Sequence, residues 1–466
     1  MEHNEHIPLP QQTRRIKIEE PEQNLEPEEE QNLEPEQEQS PTKTTEIRLL
    51  SQGAYGCVFK PNITCDGSTG NNRYVSKIQN NDDSIQNELN IGKKISSIDK
   101  FHMFFAPILE SCPVSLNSIG DSEIKKCDVL SKAPAANLLD KYISTKIKYM
   151  GDKNIKSYLF QLPKIKEIIE QKIFATYQYI IHSLEKLSKN DVIHFDIKEK
   201  NIMYDERNHS PIIIDFGLSF ETSTPILQES VFYTEEFYLY WCIDIYIISY
   251  VVQKVRKEDI PKNVSNDILA ILLDTYFKKM QNDINKYAIP MGDDEIRNLK
   301  ERHYDFLKPY IGQPWETLVE ALLKPEYYST WDIYSSAITY MIICRKIEIT
   351  QYNSQIINKL IGLWKSIIIA LPNERKSFAQ IKEDMKQIIL YGEEGTEQVP
   401  VQGTDKSPGA EPENEQAPQP QGTDKSQGTE QEKKKDNGQG SKNPTTNVIG
   451  DRRSPETFGG FLSFFE

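Results

Sequence analysis

The sequence predicts an α+β fold with its strands gathered ahead of its helices, and three observations carry that prediction. Residues 47–61 and 73–78 are short runs rich in β-branched and aromatic side chains, bounded by turn-forming residues, which suits strands. Over 165–187, in runs within 256–329, and over 329–344 and 356–389, apolar residues recur at helical spacing, which suits helices. In residues 192–217, VIHFDIKEKNIMYDERNHSPIIIDFG, Val192 and Ile193 lead into a polar loop and Ile212 to Ile214 lead out of it. His194, Asp196, Lys198 and Asn201 lie between, and Asp215-Phe216-Gly217 closes the stretch.

Composition bounds the rest. A chain of 466 residues allows one large domain or two or three ordinary ones, and a hydrophobic share of 37% means that much of it builds no core. The formal charge of −15 sits mainly at the ends: 1–45 carries −8 and 392–466 carries −6, which leaves 46–391 near −1. A neutral middle gives no sign of a nucleic-acid surface. The best candidate for a membrane span, around 241–252, is interrupted by Asp244, so none is expected. The start of the chain is acidic and polar, unlike a signal peptide. Six cysteines (Cys57, Cys65, Cys112, Cys127, Cys242, Cys344) are scattered without CxxC spacing. That argues against zinc and makes reduced thiols in a cytoplasmic protein the expectation.

The spacing H-x-D-x-K-x-x-N at 194–201, followed by a β-rich run and Asp-Phe-Gly, resembles the catalytic loop and metal-binding turn of eukaryotic-type serine/threonine protein kinases. Such enzymes position ATP and place positive charge where phosphate oxygens gain negative charge. The resemblance implies that Asp196 accepts or orients the proton of a substrate hydroxyl. It implies that Lys198 reaches the transferred phosphate, and that Asn201 and Asp215 hold Mg²⁺ with hard oxygen ligands. Lysine at 198 fits the serine/threonine class. The usual arginine before the catalytic aspartate is Phe195, so activity is expected not to need phosphorylation of the activation loop, where Thr222, Ser223 and Thr224 are the acceptors to test.

Residues 1–45, with QNLEPE at 23–28 and again at 31–36, read as a disordered acidic tail. The domain is expected to run from 46 to 391. Its first run, IRLLSQGAYGCVFKP, resembles the glycine-rich loop over ATP phosphates, with Ser51, Gly53, Ala54, Tyr55, Gly56 and Val58 as cofactor-binding positions and Ser51 in place of the usual first glycine. Glycine lets backbone amides approach phosphate without a Cβ in the way. Lys77, in RYVSKI, matches the ATP-orienting lysine, and Glu88, in the helical run 84–95, is its candidate partner. Residues 101–145 read as strands and loops. The stretch 144–159 resembles the strand, hinge and first helix joining two lobes, with Lys148 and Met150 at the hinge and Ile147 behind the adenine. A helix is predicted over 165–187.

Beyond Gly217 the chain departs from the family, with no Ala-Pro-Glu to end the activation segment. Residues 231–252 read as a buried helix that replaces it, and 256–329 as a helical insertion. Further helices are predicted from 329 and over 356–389, with Arg375 resembling an arginine near the end of the larger lobe. Two Asp-Ile-Tyr tripeptides compete for the family's buried aspartate, which accepts hydrogen bonds from the catalytic-loop backbone. Asp332 is preferred over Asp244, because Trp331 and Tyr334-Ser335 flank it in the family's manner. Residues 392–466 are low-complexity, repeat QGTDKS at 402–407 and 421–426, and close on an apolar FGGFLSFFE that could dock a partner.

The resemblance therefore implies a two-lobed α+β domain, with a small β-rich lobe and a larger helical lobe. It implies a monomeric protein kinase using ATP and Mg²⁺ on a protein serine or threonine hydroxyl. The Ile, Lys, Asn and Tyr content and the atypical activation segment look like the divergent kinases of large nucleocytoplasmic DNA viruses. A pseudokinase scaffold and a small-molecule kinase on the same fold are the alternatives.

Overall fold

The computed structural model describes residues 46–393 apart from 54–55, 132–140, 224–230, 233, 235 and 259. Both tails, the FGGFLSFFE end, Ala54, Tyr55 and Thr224 lie outside the described residues.

The N-terminal region runs β1 (Arg48–Gln52), β2 (Gly56–Lys60), β3 (Tyr74–Asn80), α1 (Asp83–Ser96), β4 (Phe105–Ala106), β5 (Ile108–Pro113), α2 (Asp121–Ile124), α3 (Asp128–Ser131) and β6 (Tyr142–Lys148). Five strands form one antiparallel sheet in the order β1-β2-β3-β6-β5. Side chains alternate between its faces. Tyr142 joins Cys57, Phe59 and Ile78 in one core, while the next residue, Ile143, packs with Ile108 and with Ile85 of α1. The β2–β3 register sets Val58 opposite Lys77.

The C-terminal region runs α4 (Ile155–Gln161), α5 (Lys166–Lys189), β7 (Val192–Ile193), β8 (Ile202–Asp205), β9 (Ser210–Ile214), β10 (Phe220–Glu221), α6 (Ile243–Tyr250), α7 (Asn266–Tyr287), α8 (Asp293–Leu307), α9 (Trp315–Leu322), α10 (Pro325–Tyr328), α11 (Trp331–Lys346), α12 (Gln355–Ile368) and α13 (Phe378–Glu393). Side-chain caps set several starts. The oxygens of Asn154, Ser265 and Ser354 accept from the backbone N–H three residues on, at 2.9, 3.1 and 3.1 Å. Helix α5 is the central pillar: Ile169, Ile173, Tyr177, Ile180, Ile181, Leu184 and Leu187 are all buried, at helical spacing.

Two expectations need correction. The run 231–252 is not one helix: α6 begins only at Ile243, and Tyr238, Tyr240 and Trp241 lie ahead of it outside any helix. Those three hydrogen-bond to Asp196, Glu199 and the Phe195 carbonyl with side chains that a continuous helix would disperse around its axis. Nor are the cysteines all reduced. Cys57 is bonded to Cys127 and Cys65 to Cys112, while buried Cys242 and Cys344 remain thiols. The pairs lie 70 and 47 residues apart, and the sheet that brings them together leaves no trace in local spacing.

Candidate active site

The cleft side of the sheet presents Lys77. Only Asn81 and Asp82 separate β3 from α1, so Glu88 comes round on the second turn of α1 to face β3. Lys77 Nζ donates to Glu88 Oε1 and Oε2 at 3.1 and 3.0 Å and to Asp215 Oδ1 at 3.1 Å. Gln79 Nε2 supports Glu88 from the same strand at 3.3 Å. Burial alone would push the ammonium towards neutrality. Asp215 and Glu88 outweigh it and hold the Lys77 pKa above its ordinary value. Asp215 shows the mirror case, raised by burial but lowered overall, chiefly by Lys77.

The glycine-rich turn closes through Gly53 N–H donating to Gly56 O at 2.8 Å. A Cβ at Gly56 would stand 2.5 Å from the Ile78 carbonyl oxygen, so close strand packing requires glycine there. At Gly53 the nearest neighbour to such a Cβ is 3.9 Å away, which leaves that glycine open to a ligand. Ser51 pairs with Val58 across the hairpin. Met150 is buried with Ala106 and Ile212 at the inter-lobe connection, and Ile147 packs against the same cluster. Lys148, at the end of β6, lines a polar cavity of about 570 Å³ with Lys60, Arg73 and Lys153.

The loop after β7 is fixed from below by α11. Asp332 Oδ2 accepts from His194 N–H at 2.7 Å and its Oδ1 from Phe195 N–H at 2.9 Å. Asp332 is thus the anchor. Burial raises its pKa against the pull of His194 and those two amides. His194 accepts at Nδ1 from Asp196 N–H at 3.2 Å, which leaves Nε2 to donate to the Ile214 carbonyl at 3.1 Å. The ring therefore ties the catalytic loop to the strand that delivers Asp215. Phe195 and Asp215 both sit at positive φ, 68° and 63°, a sparsely populated state for non-glycine residues that surrounding bonds must enforce.

Asp196, Lys198 and Asn201 converge. Lys198 Nζ donates to Asp196 Oδ2 at 2.6 Å, and Asn201 Nδ2 donates to the Asp196 carbonyl and to Oδ2, both at 2.9 Å. Asn201 thus turns its amide nitrogen to Asp196, leaving its carbonyl oxygen as the hard donor. Asp215 engages Lys77 through Oδ1 alone, with no protein partner on Oδ2 among the described residues. No group of three or more His, Cys, Asp or Glu among the described residues could hold a metal by itself. The donor set fits Mg²⁺ shared between two side-chain oxygens and nucleotide phosphates.

Three site residues were not singled out by the sequence. Tyr238 hydroxyl donates to Asp196 Oδ1 at 2.9 Å, Tyr240 hydroxyl to Glu199 Oε2 at 2.7 Å, and Trp241 Nε1 to the Phe195 carbonyl at 2.9 Å. Phe195 itself lies in a cage of Phe220, Phe232, Trp241 and Trp331, at centroid distances of 5.4, 5.7, 4.8 and 5.8 Å. From the other side, α1 holds the strand after Gly217: Asn87 Nδ2 donates to Ser219 O at 2.7 Å, and Lys94 pairs with Glu221 at 2.9 Å. An aromatic signal was visible in 231–241, but its targets were not.

Residues 45–239 match the family model of the protein kinase domain, and no curated protein matches the chain. The fold is that of a protein kinase domain, with a β-sheet N-terminal region and a helical C-terminal region. The match ends at residue 239, within the aromatic run and beyond Gly217. Among the described residues no helix is long and apolar enough to cross a membrane.

Proposed function

We propose that the chain is an ATP- and Mg²⁺-dependent kinase that phosphorylates serine or threonine hydroxyls of a protein. One observation carries the reading: the Lys77–Glu88–Asp215 ion cluster and the Asp196–Lys198–Asn201 cluster are both assembled, joined through His194. A scaffold has no physical need for either. In this mechanism Lys77, steadied by Glu88, draws nucleotide phosphate oxygens into place. Bound Mg²⁺ supplies charge neutralisation across the phosphates, with Asn201 and Asp215 as its protein ligands. Asp196 orients the acceptor hydroxyl and takes its proton, and Lys198 offsets charge on the transferred group. Ser51, Gly53 and Val58 cover the phosphates and adenine, and the backbone at Lys148 and Met150 pairs with the base.

Phe195, packed in its aromatic cage, offers no cation to an activation-loop phosphate, and Lys94 is already paired with Glu221. Phosphatase treatment is therefore expected to leave the rate unchanged. The decisive experiment is transfer from γ-labelled ATP to dephosphorylated casein, followed by phosphoamino acid analysis. Asp196→Ala or Asp215→Ala should lower the rate on the order of 10²–10³-fold with the fold retained. Wild-type turnover in either variant would remove the kinase reading, and label on tyrosine alone would remove the serine/threonine class.

A further inference from the structure

Asp196 has both carboxylate oxygens engaged. Lys198 and Asn201 hold Oδ2, and the Tyr238 hydroxyl holds Oδ1. Oδ1 is the less crowded oxygen for an acceptor hydroxyl that is to hand its proton to Asp196, and Tyr238 already donates to it. The Tyr238 contact is built into the fold. The ring meets Trp241 edge-on at 5.5 Å and Tyr240 at 5.1 Å, and Lys198 Nζ stands 5.9 Å from its centroid. Its neighbours are tied down: Trp241 donates to the Phe195 carbonyl, the Trp241 carbonyl accepts from Tyr276 at 2.8 Å, and the Tyr240 carbonyl accepts from Ser335 at 2.7 Å. The backbone at 240–241 is therefore held to α7 and α11. Rotation about the side-chain bonds of Tyr238, which is partly exposed, would withdraw the hydroxyl.

We propose that Tyr238 is an internal occupant of the acceptor position, so that a protein hydroxyl reaches Asp196 only after the tyrosine has swung away. This rests on the kinase reading and adds regulation at the same site. A binding site whose competent state is only fractionally populated shows an affinity reduced by that fraction. Removing one hydroxyl bonded to a carboxylate should raise the competent fraction about tenfold, or 1.4 kcal/mol. Tyr238→Phe keeps the ring and its packing and deletes the competitor alone.

The test uses the full chain as wild type, Tyr238→Phe, Tyr238→Leu and Asp196→Ala. Casein KM, ATP KM and kcat are measured with γ-labelled ATP, and casein binding to the nucleotide-free chain is followed by fluorescence polarisation. The expected result is a casein KM and dissociation constant lower by about tenfold in Tyr238→Phe, with ATP KM unchanged. Tyr238→Leu gives the same direction should the first variant not fold. A fall in kcat with casein KM unchanged would make Tyr238 a positioning residue for Asp196 and overturn the proposal. An unchanged casein KM and dissociation constant would overturn it equally. In both cases an active wild type with an inactive Asp196→Ala leaves the kinase reading standing. A wild type that transfers no phosphate removes that reading and this proposal together.

Discussion

Two helices of this protein begin with the same tripeptide, Asp-Ile-Tyr, and bury its aspartate to opposite ends. At α11, Asp332 faces the backbone amides of His194 and Phe195. At α6, Asp244 meets the guanidinium of Arg375, taking Nη1 on Oδ2 at 2.8 Å and Nη2 on Oδ1. Trp331, one residue before Asp332, donates its Nε1 to Asp244 Oδ2 at 2.7 Å and so stitches the two sites together. Burial raises both carboxyls. Only Asp244 ends below its ordinary pKa, because Arg375 overrides burial there. A shared tripeptide therefore specifies a buried acid, and the surroundings decide whether it positions a loop or ties down a helix.

The comparison breaks most sharply at Asp244. Asp244→Ala leaves Arg375 buried and unpaired, and should lower unfolding free energy by about 3–5 kcal/mol in denaturant titrations. Asp244→Leu with Arg375→Met should recover most of that loss, since an apolar pair removes both charges at once. A double variant no more stable than the single one would mean that the pair contributes more than avoidance of an orphaned charge.

Acid should strike the same side of the molecule. His303 on α8 is buried against Phe277, donates at Nδ1 to the Leu299 carbonyl at 2.9 Å, and has its pKa lowered to about 4, chiefly by burial. The unfolded chain, titrating near 6.5, binds the proton more readily. The contribution is thus fully present above about pH 6.5 and is lost as pH falls through the window down to about 4, on the order of 3 kcal/mol in all. His303→Gln should flatten that part of the stability profile, and an unchanged slope between pH 6.5 and 4 would exclude His303 as its source.

The smallest effect on stability, and the most informative for chemistry, is expected at Asp332. Asp332→Asn sets an amide nitrogen against one of two backbone donors, at about 1–3 kcal/mol. Because the displaced amides belong to His194 and Phe195, kcat should fall while ATP KM holds. Loss of stability with kcat intact would show that the anchor supports packing alone.

How much of this could be read beforehand varied with the length scale of the interaction. Asp332 was legible because Trp331 and Tyr334-Ser335 stand beside it in the chain. Glu88 was legible as the acid on the helix that follows the lysine strand. Asp196, Asn201 and Asp215 were legible as a spaced motif. Tyr238 and the disulfides were not, since each joins segments 42 to 70 residues apart, or 47 for the second crosslink, with no repeating pattern between them. The run 231–241 misled because its hydrophobicity argued for a buried helix. Its tyrosine and tryptophan donors satisfy the catalytic loop instead, and amphipathic side chains of that kind can do so from a turn as well as from a helix.

The two crosslinks are nested, Cys65–Cys112 lying within Cys57–Cys127, so the sheet region is a ring within a ring. A chain cut once between 65 and 112 has no free end to depart with, because both fragments stay joined twice over. On a denaturing gel such a nicked protein should run as one band until thiol is added and as two afterwards. Cleavage in the helical region, where Cys242 and Cys344 remain thiols, should release its fragment with or without reductant. The half of the molecule that carries Lys77 and the glycine-rich turn thus keeps its pieces after a cut that the half carrying Asp196 would not survive.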